Sequence, residues 1–215
     1  MLKRLTAPLL LCIGTYAAAQ EYRLPFEGRW FVMQGGDTPN VNQHMGVVAQ
    51  WFGVDFAKVG GTSGRELTGR TPPTRVEDFF SWGEPVFAPA DGQVISVTDG
   101  LPDNPLGTKD AQHPAGNHVV IRAAPNRFVF LAHLQRGAVN VRAGDQVKRG
   151  QRVGLCGNSG NSDFPHIHMH VQDGPDLNVG QGQNPVFADM NVELTGKQFT
   201  HVTWPVIRGL FVANP

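Results

Sequence analysis

Cysteine is nearly absent from this chain: Cys12 and Cys156 are its two thiols. Long apolar runs are missing as well, and Ala7–Gly14 is too short to cross a bilayer as an anchor. With Lys3 and Arg4 ahead of it and Ala17-Ala18-Ala19 behind it, residues 1–19 read as a signal peptide cleaved before Gln20. Lipid attachment at Cys12 would need a small residue just before it, and Leu11 stands there. A soluble exported protein, periplasmic or extracellular, is therefore expected. Cleavage leaves Cys156 alone, so no intrachain disulfide can form despite export. Set between Leu155 and Gly157, Cys156 reads as a small core residue, with a nucleophile as the weaker alternative.

An excess of either charge is also lacking. The chain holds 18 Lys+Arg and 18 Asp+Glu; residues 1–19 carry two of the bases and no acid, so the mature chain has 18 minus 2, or 16, against 18. A net charge near minus two gives no footprint for nucleic acid.

What is present is glycine, 26 residues, and proline, 16, in a chain of 215 that is 40% hydrophobic and 17% charged. Such numbers suit one globular domain of short strands joined by tight turns, over residues 20–215. Within it, 20–80 reads as N-terminal strands and a loop, 81–175 as the core that carries the chemistry, and 176–215 as C-terminal edge strands.

The most informative stretch runs from Gly157 to Gln172. A loop rich in Gly, Asn and Ser leads to Pro165, and His166, His168 and His170 then alternate with Ile167, Met169 and Val171. On a strand, alternate side chains share a face, so three imidazoles line one surface and three apolar residues the other. Imidazole is a frequent zinc ligand and the side chain that most readily exchanges a proton near neutral pH. A solvated polar face is the bland alternative, and the remaining ligands must decide.

Earlier in the chain, Trp30–Gln34 reads as a strand stopped by Gly35-Gly36, and Asp37–Gln43 as a loop leading to His44. Gln50–Ala57 reads as a strand that sets Asp55 among apolar and aromatic neighbours, where a carboxylate needs a partner or a metal. Residues 58–83 read as a long loop able to wall a cleft, with a helical turn over 76–80. Strands follow at 85–89, 93–97, 116–122 and 127–134, the last placing His133 on the face of Val129 and Leu131. Residues 101–116 read as a loop in which His113 is merely exposed. Two evenly spaced glycine turns, at Gly144 and Gly150, suit a compact barrel or sandwich.

Several segments taken in order carry a resemblance: Asn42-X-His44, Gln50–Phe56, Ala88–Val94, Leu131-Ala132-His133-Leu134, Gly144–Gln151, and Gly157–Ser162 leading to Pro165-His166-Ile167-His168. Together they resemble the lysostaphin and LytM type of zinc metallopeptidase, over roughly Trp30 to Val171. The resemblance implies an all-β, lysostaphin-like duplicated hybrid fold with long loops around a zinc cleft. It implies His44, Asp55 and His168 as Zn2+ ligands, and His133 and His166 as catalytic partners. His170 would support a ligand from behind. The commonest family pattern puts the first ligand four residues before the Asp, where this chain has Trp51; His44, eleven residues before Asp55, resembles a branch with a longer insertion.

Zinc with three protein ligands keeps a position open for water and lowers its pKa to about 7. The reading implied is an exported, monomeric zinc endopeptidase cutting peptide cross-links of bacterial peptidoglycan. Its alternatives are a non-catalytic peptidoglycan-binding or amidase-regulating member of the same fold, and a zinc-holding or carbohydrate-binding β protein without hydrolysis.

Overall fold

The computed structural model describes residues 20–215, so the signal-peptide reading of 1–19 lies outside the described residues. In chain order the strands are β1 (Glu21–Tyr22), β2 (Trp30–Gln34), β3 (Val54–Lys58), β4 (Pro85–Phe87), β5 (Gly92–Thr98), β6 (Asn117–Ala124) and β7 (Arg127–Leu134). They continue as β8 (Gln146–Val147), β9 (Arg152–Leu155), β10 (Ile167–Gln172), β11 (Gly182–Gln183), β12 (Val186–Leu194), β13 (Lys197–Trp204) and β14 (Phe211–Ala213). Short 3-10 turns at Gln43–Gly46, Val48–Gln50 and Val76–Asp78 complete the regular structure, and the described chain is all-β as expected.

Twelve strands form one sheet in the order β1-β12-β14-β2-β3-β10-β7-β6-β5-β8, with β11 on β10 and β13 on β12; β4 and β9 pair separately. The central run β3-β10-β7-β6 is antiparallel throughout. Alternation decides its two faces. Val54 and Phe56 of β3, Val129 and Leu131 of β7, and Ile167, Met169 and Val171 of β10 all enter one hydrophobic core and are at most 1% exposed. Burying each of these large side chains contributes about 1.5–3 kcal/mol relative to leaving it in water. The opposite face of the same strands is left for Asp55, Phe130, Ala132, His168 and His170.

Two expectations change. Gln50–Phe52 is turn rather than strand, because Phe52 takes a left-handed backbone (φ 65) that ends the turn before β3 begins at Val54. The C-terminal segment does not merely add edges: β14 inserts between β12 and β2, while β11 and β13 of that segment lie off the main path, on β10 and β12. Cys156 is buried in the core, and burial pushes its thiol well above the ordinary value, which makes it inert packing.

Candidate metal centre

Asp55 and His168 are placed by strand register. They are Cα partners in the β3–β10 ladder, while Ala132 of β7 faces His168 from the other side. Nδ1 of His168 lies 2.9 Å from Oδ1 of Asp55. On the far side of Asp55, β2 carries an extra residue between Val32 and Gln34. That bulge turns β2 away, and Met33 and Gln34 become part of a cleft wall.

His44 arrives from a turn. The buried Asn42 caps it, its Oδ1 accepting from His44 N–H at 3.1 Å, while its Nδ2 donates to Gly36 O at 2.8 Å and Gly53 O at 3.1 Å. One amide thus ties the turn to the residues just before β3. Gly53 leaves room there: a Cβ would sit 3.2 Å from both His168 Cε1 and His44 Cδ2, tight enough to push on both rings. The rings of His44 and His168 pack edge to face, with centroids 4.5 Å apart.

One donor atom from each of His44, Asp55 and His168 lies within 4.8 Å of the others. Ligands around a tetrahedral zinc are about 3.3 Å apart, from bond lengths near 2.05 Å. The three are therefore near enough to share one ion after modest side-chain adjustment. His44 Nε2 supports the fit: it is buried with no hydrogen-bond partner, and although 2.9 Å from Asp55 Oδ2 it is not aimed as a hydrogen bond. Two imidazole nitrogens and a carboxylate are a donor set that suits Zn2+.

The electrostatics agree. Burial would raise the Asp55 pKa, but His44, His166 and His168 around it hold it well below the usual 3.8, so the carboxylate stays ionised. At His44 burial opposes protonation, yet Asp55 beside it wins and raises the pKa above 6.5. Burial, then the His44 charge, lowers that of His168.

His133 reaches the same cleft by breaking the strand rule. Simple alternation puts it with Val129 and Leu131, facing the core. The β6–β7 register shows otherwise: Asn117 pairs with Leu134 and Val119 with Leu131, so β7 has one residue more than β6 over this interval. His133 sits in that bulge with φ 63, a conformation rare for a residue with a Cβ, and its side chain is turned onto the cleft face. Its Nδ1 lies 2.9 Å from Ser159 O and must donate to it, leaving Nε2 as a bare acceptor. Burial, with His166 and His168 nearby, pushes its pKa well below 6.5, so the ring is neutral.

His166, just ahead of β10, is fixed in the same way. Nδ1 is 2.9 Å from Phe164 O, so that nitrogen carries the proton, and Nε2 stands 3.7 Å from Asp55 Oδ1. The His133 and His166 rings are 4.8 Å apart. All five histidine and aspartate positions named from the sequence therefore line one cleft of about 490 Å³, with His170 behind them.

The loops divide the work differently from expectation. Among the described residues, none of 58–83 lines the cleft; Phe79 instead stacks on Phe164 (centroids 5.4 Å, 15°), bracing it from outside. Residues 101–116, read simply as a loop, supply Lys109, Pro114 and Ala115 to the wall. They are laced to the loop before β10 through Asn104 N to Asn158 O (3.0 Å), Gly107 N to Asp163 O (3.0 Å) and Asp110 N to Gly160 O (2.9 Å). Lys109 Nζ and Asp163 Oδ2 pair across the rim at 2.9 Å. Sequence reading also missed Ser159 as the acceptor that orients His133, and Gln172. The latter carried a signal, since it continues the alternation of His166, His168 and His170.

A β-sheet cleft that gathers two imidazoles and a carboxylate as donors, with two further imidazoles alongside, defines a metal-binding class of site. Residues 76–185 match the family described as Peptidase family M23, and the chain belongs to that family. An uncharacterized metalloprotease of Haemophilus influenzae is 37% identical over 123 residues, covering 56% of this chain and 22% of that protein. The peptidoglycan DD-endopeptidase ShyA of Vibrio cholerae is 34% identical over 107 residues, covering 49% and 21%. The aligned part thus spans about a fifth of the length of these curated relatives. Among solved structures, the catalytic domain of the prophage-encoded M23 protein EnpA from Enterococcus faecalis aligns with a TM-score of 0.47 at 24% identity, covering 76% of this chain and 94% of that one.

Proposed function

We propose that this chain is a zinc-dependent endopeptidase that hydrolyses peptide cross-links of bacterial peptidoglycan. The observation that carries this reading is the meeting of three ligand donors, His44, Asp55 and His168, with two bare imidazole nitrogens, on His133 and His166, in one cleft. A zinc ion held by three side chains polarises a carbonyl and acidifies water. The chain's own part is to hold the ion and to move protons. Because Ser159 O and Phe164 O occupy the Nδ1–H of His133 and His166, each ring presents Nε2 to the cleft. One can take a proton from the attacking water. The other, once protonated, can donate to the carbonyl oxygen as it gains charge or to the leaving amine.

Membership of the M23 family and the relatedness to ShyA support the substrate class. Among the described residues no helix is long and apolar enough to cross a membrane. The export signal read in residues 1–19 would deliver the protein to the wall, where residues 20–215 act as a single monomeric domain; one sheet that takes in both β1 and β14 supports the single domain. The test is incubation of the purified mature chain with peptidoglycan, with and without a zinc chelator, followed by mass spectrometry of the soluble fragments. Release of peptides cut within cross-links, abolished by chelation and restored by zinc, is expected. Intact peptidoglycan with zinc-loaded protein would sink the proposal.

A further inference from the structure

On the cleft face of β10, a single line of hydrogen bonds runs away from the metal centre. His168 Nε2 lies 2.9 Å from His170 Nδ1, and His170 Nε2 lies 3.2 Å from Gln172 Oε1. Gln172 is fully buried, and its Nε2 is surrounded by three backbone carbonyls, those of Gly174 (2.8 Å), Asp176 (2.7 Å) and Val179 (3.0 Å). Carbonyl oxygens only accept, so the amide cannot be turned over without setting its oxygen against three others. Oε1 therefore faces His170.

From that fixed point the protons follow in order. Oε1 accepts, so His170 Nε2 carries hydrogen and His170 Nδ1 is an acceptor. His168 Nε2 must then donate to it, which leaves His168 Nδ1 bare, 2.9 Å from the carboxylate oxygen of Asp55. Two acceptors facing each other at that distance are favourable only around a cation. We propose that Gln172 is a positioning residue: acting through His170, it sets the tautomer of His168 so that Nδ1 is the nitrogen offered to the metal.

The source of that constraint is a second wall of the cleft. Residues 173–181, whose carbonyls hold Gln172, also bring Leu177 and Asn178 to the cleft, and Asn178 Oδ1 accepts from Gln50 Nε2 at 2.8 Å, beside the turn that carries His44. The same short loop therefore lines the cleft and orients a ligand at its floor. His170, which lies flat on Phe130 (centroids 4.5 Å, 10°), is free to pass on the orientation but not to tilt.

The inference rests on the proposed zinc site, yet its first test needs no metal. Imidazole nitrogen shifts in the 15N-labelled, zinc-free full chain should show the His170 proton on Nε2, and on adding zinc the His168 proton should stand on Nε2 as well. Finding the zinc-free His170 proton on Nδ1, or zinc-bound His168 coordinated through Nε2, would overturn the proposal even if the enzyme is active. In Gln172→Met, which keeps the volume and removes the amide, His170 should populate the other tautomer, and zinc affinity measured by chelator competition should fall about 10- to 100-fold. Gln172→Asn, with the same amide on a shorter stem, should recover part of that loss. Unchanged tautomers and affinity in Gln172→Met would count against it. Failure of the wild-type chain to bind zinc at all would instead sink the proposed function, leaving the nitrogen shifts to judge the relay.

Discussion

Asp55 and His168 face one another as Cα partners on adjacent antiparallel strands, and their side chains meet at 2.9 Å. Strand pairing, rather than a mobile loop, therefore sets the spacing of two of the three donors. His44 is the third, and it is the one delivered by a turn.

That division predicts unequal effects of removing donors. Asp55→Ala takes away the sole anion of the set and leaves three imidazoles facing a hole, so zinc binding should be lost and the fold weakened. His44→Ala should leave the fold intact, because the ring lies at the cleft edge, while zinc affinity falls by more than about 100-fold, since even supporting residues are worth 10- to 100-fold. Metal content after dialysis, read with circular dichroism melts, checks both. Stoichiometric zinc in His44→Ala would remove His44 from the set.

His133 and His166 touch none of the three donors through a shared proton, and each is held from behind by a backbone carbonyl. His133→Ala and His166→Ala should accordingly keep zinc and the melting temperature while lowering kcat by about 10²- to 10⁴-fold, the usual range for a lost acid or base. Peptide release from peptidoglycan, measured beside metal content, separates this from loss of the ion. Full activity in either variant would end the role assigned to that ring.

Much of this site was legible because strands repeat every two residues. The alternation in β10 announced both the imidazole row and the apolar row, and the bounds read for β2 and β7 coincide with those observed. The same rule misplaced His133, since a bulge is set by pairing with β6, whose flanking partners Val119 and Asn117 lie far from Leu131 and Leu134 in the chain, and leaves no mark in the local pattern. Loop roles were hidden for a similar reason. Whether 58–83 or 101–116 reaches the cleft depends on which one finds hydrogen-bonding partners in the segment 157–164, and those contacts join residues some fifty positions apart, such as Asn104 and Asn158. Trp51, in the place of the usual first ligand, donates its Nε1–H to Met45 O at 3.0 Å and so braces the turn that presents His44 instead.

Gly116 predicts a stability effect that acts on the site. It has φ +58, and a Cβ there would lie 2.4 Å from the carbonyl carbon of Ser159, whose oxygen orients His133. Gly116→Ala should therefore cost on the order of 3 kcal/mol, combining left-handed strain with a backbone clash that cannot relax cheaply. Gly83 is the control, with φ +72 and open space around it, and Gly83→Ala should cost about 1 kcal/mol. Denaturant midpoints measure the difference; equal values would show that Ser159 moves freely.

Acidity should shape the stability of the zinc-free protein on both sides of pH 6.5. Burial lowers the pKa of His118, His133, His168 and His170 below the usual 6.5. For these groups the unfolded chain binds more protons between the folded and unfolded values, so stability is lost as pH falls below 6.5, by up to about 1.4 kcal/mol per pH unit for each. His44 has the opposite sign: its folded pKa is raised, so its contribution is complete below 6.5 and is lost as pH rises through the folded value. Asp55 stays ionised and contributes throughout this range. Zinc binding must displace the His44 proton, so the rise in melting temperature on adding zinc should grow with pH over the same interval in which the zinc-free protein weakens. Melts between about pH 5 and about pH 8.5, with chelator and with zinc, measure both limbs. His44→Asn should flatten the alkaline limb and, by removing the His44 charge that helps to depress His168 and His170, soften the acid limb as well; an alkaline limb that persists in that variant would show that it does not arise from His44.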